Sequence, residues 1–211
     1  MPALLMLSGL IDRLNTLIGR LAMWLILATT LISAWNAIQR KAFDIRSNAW
    51  LEIQWYLFAA VFMLGAGYTM LRNAHVRIDF LAGRFTPRTR NWIDVVGIVA
   101  VLFPFCVISI LLSWPLFVNA WNSGEMSSNA GGLVRWPVYL LIPIGFALLM
   151  LQGLSELIKR IAFLRGKGPD TIGLDGSEAE KLANEIAGDV VEIHATVRPE
   201  DTLPVTPSTR K

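Results

Sequence analysis

Four long apolar runs dominate this sequence and constrain its fold more than any other feature. A helix needs about 20 apolar residues to cross the hydrocarbon core of a bilayer. The runs lie at about residues 21–38, 50–71, 92–117 and 136–158. Because a segment in hydrocarbon must satisfy its own backbone hydrogen bonds, open strands are excluded. The sequence therefore predicts an all-α integral membrane protein with four transmembrane helices.

The composition supports this interpretation of the apolar runs. Only 17% of the 211 residues are charged, whereas soluble domains carry about 25%. The formal net charge of +3 is too small to indicate a nucleic-acid partner. Tryptophans, which favour the boundary between hydrocarbon and water, lie near the edges of the predicted spans: Trp50, Trp55, Trp92, Trp114 and Trp136.

The distribution of basic residues between the loops predicts the orientation. Cytoplasmic loops of membrane proteins carry an excess of Lys and Arg. Here the basic residues concentrate before the first span, in the bridge 72–91 and after the last span. The loop 119–135 contains only Arg135, although the loop 39–49 is also basic and does not fit the pattern. Both termini are therefore predicted to be cytoplasmic, because four spans return the chain to its starting side.

The sequence changes character at both ends of the four-span region. Leu14, Leu17 and Leu21 form an apolar stripe at helical spacing, which allows a short amphipathic helix at the N-terminus. After the last span the chain becomes acidic and contains several prolines. Residues 1–165 are therefore predicted to form the membrane domain, and residues 166–211 a cytoplasmic tail that is mostly disordered.

Ionisable residues within spans are costly and usually functional, and this sequence has few of them. Glu52, Asp94 and Glu156 each lie near an end of a predicted span, and none lies near the middle of one. A proton relay or a cation path would require several carboxylates at that depth. The spans thus predict neither an ion path nor a catalytic centre, and no cofactor is expected.

Glycines and prolines predict interruptions of the regular pattern. Pro104 and Pro143 lie within spans and are expected to kink their helices. The loop SGEMSSNAGGLVRWP, residues 123–137, is rich in Gly and Ser and is predicted to be irregular. Its Gly131–Gly132 pair lacks the preceding strand that a nucleotide-binding loop needs.

The bridge LRNAHVRIDFL, residues 71–81, contains Arg72, His75, Arg77 and Asp79. His75 and Asp79 are four residues apart and would share one face of a helix. That spacing suits a metal pair or a general base with its orienting carboxylate, but metal sites normally need three or more protein ligands. The two arginines can also contact anionic lipid. Topology, catalysis and partner contact all remain open at this point.

Two parts of the sequence together resemble a known family. The first is the H-V-R-I-D bridge, and the second is an outer loop with a glutamate before a glycine pair and R-W-P: Glu125, Gly131, Gly132, Arg135, Trp136 and Pro137. With four spans, this layout resembles the small membrane subunit of a tripartite ATP-independent periplasmic (TRAP) transporter. The resemblance covers about residues 10–165, and the tail is outside it.

The resemblance implies a transporter subunit of the bacterial inner membrane that is not an enzyme. Such a subunit pairs with a large multi-span subunit, which holds the substrate and sodium sites and moves like an elevator. A periplasmic binding protein delivers the substrate, typically a carboxylate. The small subunit would then be a scaffold, with these candidate contacts to partner or lipid: Arg72, His75, Arg77, Asp79, Glu52, Glu125 and Arg135.

Two other functions compete with the transporter subunit. One is a membrane enzyme that uses His75 and Asp79 at the cytoplasmic face. The other is a self-assembling four-helix carrier, which would need a polar stripe through the bundle. The spans offer few residues for such a stripe: Thr29, Thr30, Ser33, Asn36, Thr69 and Ser109.

Overall fold

The computed structural model describes residues 2–43, 48–72 and 86–166, and these residues are helical over most of their length. The helices are α1 (Pro2–Ala42), α2 (Asn48–Leu71), α3 (Pro87–Gly97), α4 (Phe103–Ser123) and α5 (Trp136–Leu164). A π-helical segment, Ile98–Leu102, joins α3 to α4 without a break. By length and apolar composition, α1, α2, the α3–α4 unit and α5 can each cross a membrane. The predicted all-α fold with four membrane-spanning helices is confirmed.

The helices extend beyond the apolar runs that predicted them. α1 has 41 residues, which corresponds to a length of about 60 Å. That is about twice the thickness of the hydrocarbon core. The N-terminal amphipathic segment is thus the first part of α1 rather than a separate helix. Hydropathy marks only the stretch of a helix that lies in lipid, so it underestimates the full length.

α5 lies at the centre of the bundle and contacts every other helix. α2 packs beside it in the same direction, since Met63 meets Gly145 and Gly67 meets Leu148. α1 runs in the opposite direction and packs on both α2 and α5. The α3–α4 unit packs on the other helices mainly through α5. The starts of α1 and α3 and the end of α5 therefore lie at the same end of the bundle.

Glycines allow these helices to approach closely. A Cβ atom at Gly145 would lie 2.8 Å from the carbonyl oxygen of Met63, and one at Gly153 would lie 2.6 Å from a methyl carbon of Leu102. Both distances are too short for a real side-chain contact. The α2–α5 contact thus depends on the absence of a side chain at Gly145, where the neighbour is backbone, and Gly153 lets side chains of the α3–α4 unit lie close to α5.

The π-helical segment Ile98–Leu102 ends two positions before Pro104. Proline has no N–H to donate and its ring crowds the preceding turn. A wider turn relieves that crowding, and single π turns of this kind occur within α-helices. Where the sequence predicts a kink at Pro104, the structure has this π turn. α4 and α5 remain helical through Pro115 and Pro143.

Much apolar side-chain surface remains uncovered on the outside of the bundle. In the apolar stretch of α5, 33% of the residues are buried in the bundle, whereas only 11% are buried in the apolar stretch of each of the other three spans. Large side chains such as Trp24, Phe58 and Leu112 are about 70% exposed. This surface is suited to lipid or to another membrane protein.

Candidate functional site

Of the seven candidate contact residues, four lie in the part of the chain that the structure describes. These are Arg72, Glu52, Glu125 and Arg135. His75, Arg77 and Asp79 lie outside the described residues, as does the predicted tail beyond residue 166. The structure places Glu52, Glu125 and Arg135 at one end of the bundle, and Arg72 at the opposite end of α2.

Glu52 of α2 accepts hydrogen bonds from the connection between α4 and α5. Its side chain is only 9% exposed. One carboxylate oxygen accepts hydrogen bonds from Ser127 Oγ and Asn129 Nδ2, the latter at 2.8 Å, and the other accepts the backbone N–H of Leu133 at 2.7 Å. This carboxylate is therefore engaged within the chain.

The connection itself, residues 124–135, forms a hairpin that we call the α4–α5 hairpin. Met126 and Val134 form an antiparallel bridge, and the N–H of Arg135 donates to the carbonyl of Glu125 at 2.9 Å. As predicted, residues 124–135 contain no helix or regular strand, and side chains of α2 hold their backbone in place. Asn48 Nδ2, for example, donates to the carbonyl of Ala130 at 3.1 Å.

The glycine pair in this hairpin has a structural explanation. Gly131 has a φ of +71°, a conformation that glycine adopts without strain. A Cβ atom at Gly132 would lie 2.6 Å from Cβ of Ser127 and 3.0 Å from a carboxylate oxygen of Glu52. Gly131 therefore supplies the turn, and Gly132 lets the hairpin approach Glu52.

Arg135 and Glu125 form an ion pair at the base of the hairpin. Arg135 Nη1 lies 2.9 Å from Glu125 Oε1, and the two side chains are 37% and 41% exposed. The hydrogen bond to Glu125, with a further one to Tyr139, raises the pKa of the Arg135 guanidinium. Beside it lies a cavity of about 380 Å³, lined in part by Trp55, Tyr56 and Tyr139. The hairpin thus presents an ordered, partly charged surface at this end of the bundle.

At the opposite end, polar side chains join α1 to α5 in what we call the α1–α5 polar cluster. Its members are Ser8, Asp12 and Asn15 on α1, and Gln152, Ser155, Glu156, Lys159 and Arg160 on α5. Asp94 of α3 joins it through Arg160, at 2.7 Å. The sequence marks Glu156 and Asp94 by their positions near span ends, and Lys159 and Arg160 as basic residues after the last span, but it does not indicate the other members.

The α1–α5 polar cluster is organised around two carboxylates. Asp12 accepts from Gln152 Nε2 at 3.0 Å and from Ser155 Oγ at 2.7 Å, and pairs with Lys159 at 2.7 Å. Glu156 lies between Lys159 and Arg160, at 2.9 and 3.4 Å. Buried polar groups are tolerated when they are hydrogen-bonded to one another in this way.

The charged members of the cluster lie beyond the end of α2, whereas Asn15 lies beside Gly67 of α2. Leu148 of α5 is beside Gly67 of α2. Beyond this level α2 continues for four residues, to Leu71, whereas α5 continues for sixteen residues, to Leu164. The twelve additional residues correspond to about 18 Å. The charges of the cluster therefore lie near the edge of the bundle rather than in the middle of the spans.

Several polar residues within the spans bond to their own helix. Thr29 and Thr30 donate to the carbonyls of Leu25 and Ile26, at 2.7 and 3.0 Å. Thr69 donates likewise to Gly65 at 3.0 Å. Such contacts satisfy the hydroxyl groups locally. They give no support to a continuous polar stripe through the bundle.

Among the described residues, no three or more His, Cys, Asp or Glu side chains lie together as a metal site would require. Comparison with known proteins gives the family. The sequence model of the DctQ component of tripartite ATP-independent periplasmic transporters matches residues 29–163. The chain belongs to this family. A comparison with curated proteins finds no match.

Membership in the DctQ family confirms the resemblance drawn from the H-V-R-I-D bridge and the R-W-P turn. The chain is a small, multi-pass membrane subunit of a TRAP transporter. The family is a transporter component and not catalytic, so the membrane-enzyme alternative built on His75 and Asp79 is excluded. The family match begins at residue 29, so it does not include the part of α1 that carries Ser8, Asp12 and Asn15.

Proposed function

We propose that this chain is the scaffold subunit for the large membrane subunit of a TRAP-type secondary transporter. The large subunit would hold the substrate and sodium sites and would take up a carboxylate solute delivered by a periplasmic binding protein. The observation that carries this proposal is the position of the charges. Within the described residues, the Asp, Glu, Lys and Arg side chains lie outside the four apolar runs or near their ends, and the centres of these runs carry none.

The uncovered apolar surface supports a scaffold. α5 is the central helix of the chain, and the outer faces of α1, α2 and α4 remain exposed. A subunit that binds a larger membrane protein needs such faces, and helices associate in membranes mainly through close packing and polar contacts. No movement within this chain is needed for that role.

For the orientation, we propose that both termini lie in the cytoplasm of a bacterium, with the chain in the inner membrane. The bundle end that holds the α1–α5 polar cluster and the start of α3 would then be cytoplasmic. The α4–α5 hairpin would face the periplasm, and its Glu125–Arg135 pair would be available to the binding protein or to the large subunit. Cys106 is the one cysteine of the sequence. Labelling of a cysteine introduced at Ser128 or at Arg88, in a Cys106→Ser background, tests this orientation. Periplasmic access at Arg88 would contradict it.

The bridge residues remain candidate contacts. We propose that His75 and Asp79 contact the large subunit, and that Arg72 and Arg77 contact anionic lipid or set the topology. His75→Ala or Asp79→Ala should weaken assembly with the large subunit while the number of spans stays the same. Unchanged co-purification by both variants would contradict the partner contact.

The direct test of assembly is a pull-down of the tagged full chain from its native membrane in mild detergent, followed by mass spectrometry. We expect a multi-span protein considerably larger than the 211-residue chain to be recovered with it. Recovery of the chain alone in several detergents would contradict the scaffold function.

A further inference from the structure

An apolar groove of about 370 Å³ runs between α1 and α2 on the outside of the bundle. Small residues form its floor: Gly19, Ala22, Gly65 and Ala66. Larger residues, among them Met23 and Phe62, form its walls. The walls are open to the surroundings, since the side chains of Met23 and Phe62 are 54% and 69% exposed. A Cβ atom added at Gly65 would meet no atom within 4 Å. The groove is therefore unfilled by the chain itself.

A positive charge lies at the end of this groove. Arg72 follows Tyr68 by one helical turn, and its Nε donates to the Tyr68 hydroxyl oxygen at 3.1 Å. The guanidinium carbon is 5.4 Å from the centre of the Tyr68 ring. That ring lines the groove and packs so closely on Gly19 that any side chain at position 19 would collide with it. Tyr68 thus fixes the exposed guanidinium at the mouth of the groove.

The dimensions match one leaflet of a bilayer. From Phe62, in the wall of the groove, to Arg72 the chain advances by ten residues of helix, which is about 15 Å. Half of the hydrocarbon core of a bilayer is also about 15 Å. A phospholipid whose acyl chain lies in the groove would therefore have its head group at the level of Arg72.

We propose that this groove binds a phospholipid of the adjacent leaflet, with an acyl chain on the glycine and alanine floor. The lipid phosphate would accept charge-assisted hydrogen bonds from the guanidinium of Arg72. Among the described residues, none accepts a hydrogen bond from the Nη atoms of this arginine. The leaflet is the cytoplasmic one if the orientation proposed above is correct, whereas the pairing of groove and arginine is independent of the proposed function.

These observations favour a lipid over a helix of the large subunit. A partner helix would cross both leaflets, whereas the lining of the groove ends within one. A helix of apolar residues would also leave Arg72 without an anion at the mouth. A phospholipid supplies both the apolar chain and the negative charge in one molecule.

Native mass spectrometry of the full chain tests the proposal. The purified chain is equilibrated with phosphatidylglycerol and phosphatidylethanolamine in detergent, and the lipid retained after detergent removal is counted. We expect one retained phospholipid on the unmodified chain. Gly65→Leu places a side chain in the groove, at a position where a Cβ atom would meet no atom within 4 Å, and should abolish retention of the phospholipid. Arg72→Gln should lower the affinity about fivefold, as expected for one basic residue at a membrane surface.

Matched variants distinguish the site from a general effect. Gly97→Leu also replaces a helical glycine with no atom near its Cβ position, and Arg88→Gln removes another exposed arginine from the same end of the bundle. Both should retain lipid like the unmodified chain. Tyr68→Phe keeps the ring on Gly19 but removes the hydroxyl group that orients Arg72, so it should cause a smaller loss than Arg72→Gln.

Two results would overturn the lipid site. The first is equal lipid retention by Gly65→Leu, Arg72→Gln and the unmodified chain. The second is unchanged lipid retention by Gly65→Leu together with loss of the large subunit from the pull-down, which would make the groove a helix-docking surface. Failure to find any large subunit, with lipid lost only in the groove variants, would count against the scaffold function and support the lipid site.

Discussion

Removal of the Asp12 carboxylate tests how strongly the α1–α5 polar cluster joins its two helices. Asp12 accepts hydrogen bonds from Gln152 and Ser155 and forms an ion pair with Lys159. Gln152 and Ser155 are fully buried, with 0% exposure each. In Asp12→Ala these donors lose their carboxylate acceptor, and a buried donor that loses its partner retains its desolvation cost.

The size of the effect follows from the number of contacts. Three contacts at about 0.6 kcal/mol, the average for interhelical polar contacts in membranes, give about 2 kcal/mol. Three hydrogen bonds to a charged group at about 1.5 kcal/mol each, the low end of the range for such bonds, give about 4.5 kcal/mol. Substitute partners keep the loss below that sum, because Ser8 remains beside Ser155 and Glu156 remains beside Lys159. We expect Asp12→Ala to lower the free energy of unfolding by about 2 to 4 kcal/mol.

In the assay, the purified chain in mild detergent is unfolded by titration with SDS, and circular dichroism monitors the loss of helix. Arg13→Ala is the matched control, because Arg13 is the next residue of α1 and is exposed. Asp12→Asn retains an acceptor for Ser155 and Gln152 but loses the charge, so its loss should be smaller. A loss of less than about 0.5 kcal/mol in Asp12→Ala, the scale of an ordinary surface substitution, would refute the reasoning.

Two further predictions concern other contacts of the bundle. Glu52→Gln should increase amide hydrogen exchange in the α4–α5 hairpin, because the charged acceptor of its hydrogen bonds is lost; unchanged exchange would show that the hairpin is ordered by other contacts. Gly145→Ala should destabilise the chain by about 1 to 3 kcal/mol in the same SDS titration, because its Cβ would collide with the backbone of Met63. Gly97→Ala, where space is open, is the control and should not destabilise it; equal stability of the two variants would contradict the close packing.

The spans were predictable because hydrocarbon imposes one strong rule on sequence. Long apolar runs must be helical, and tryptophans and arginines mark their limits. The continuity of α1 was less accessible, since Asp12 and Arg13 interrupt the apolar pattern within it. Pro104 indicated a disturbance of the helix, but not that a π turn would precede it.

The polar contacts between helices were not predicted because they depend on which helices are neighbours. Ser8, Asp12 and Asn15 follow helical spacing and share a face of α1, as do Gln152, Ser155 and Lys159 on α5. Spacing alone indicates a polar face on each helix, and only the antiparallel packing of α1 on α5 shows that the two faces meet. This pattern is the signal that sequence reasoning could have used.

Glu52 is a second example of a contact that the sequence could not show. A glutamate near the end of a span suggests an exposed contact, and the sequence therefore made it a candidate for partner binding. In the fold, the carboxylate lies beneath a hairpin more than seventy residues later in the chain, where the N–H of Leu133 and the side chains of Ser127 and Asn129 meet it. Such a long-range contact leaves no local mark in the sequence.

The most direct test of the scaffold function is uptake by proteoliposomes that contain the large membrane subunit with or without this chain. Each preparation receives an inward sodium gradient and the periplasmic binding protein loaded with its carboxylate solute. We expect uptake only when both membrane subunits are present, and none with this chain alone. Full uptake by the large subunit without this chain, or uptake by this chain alone, would contradict the scaffold function.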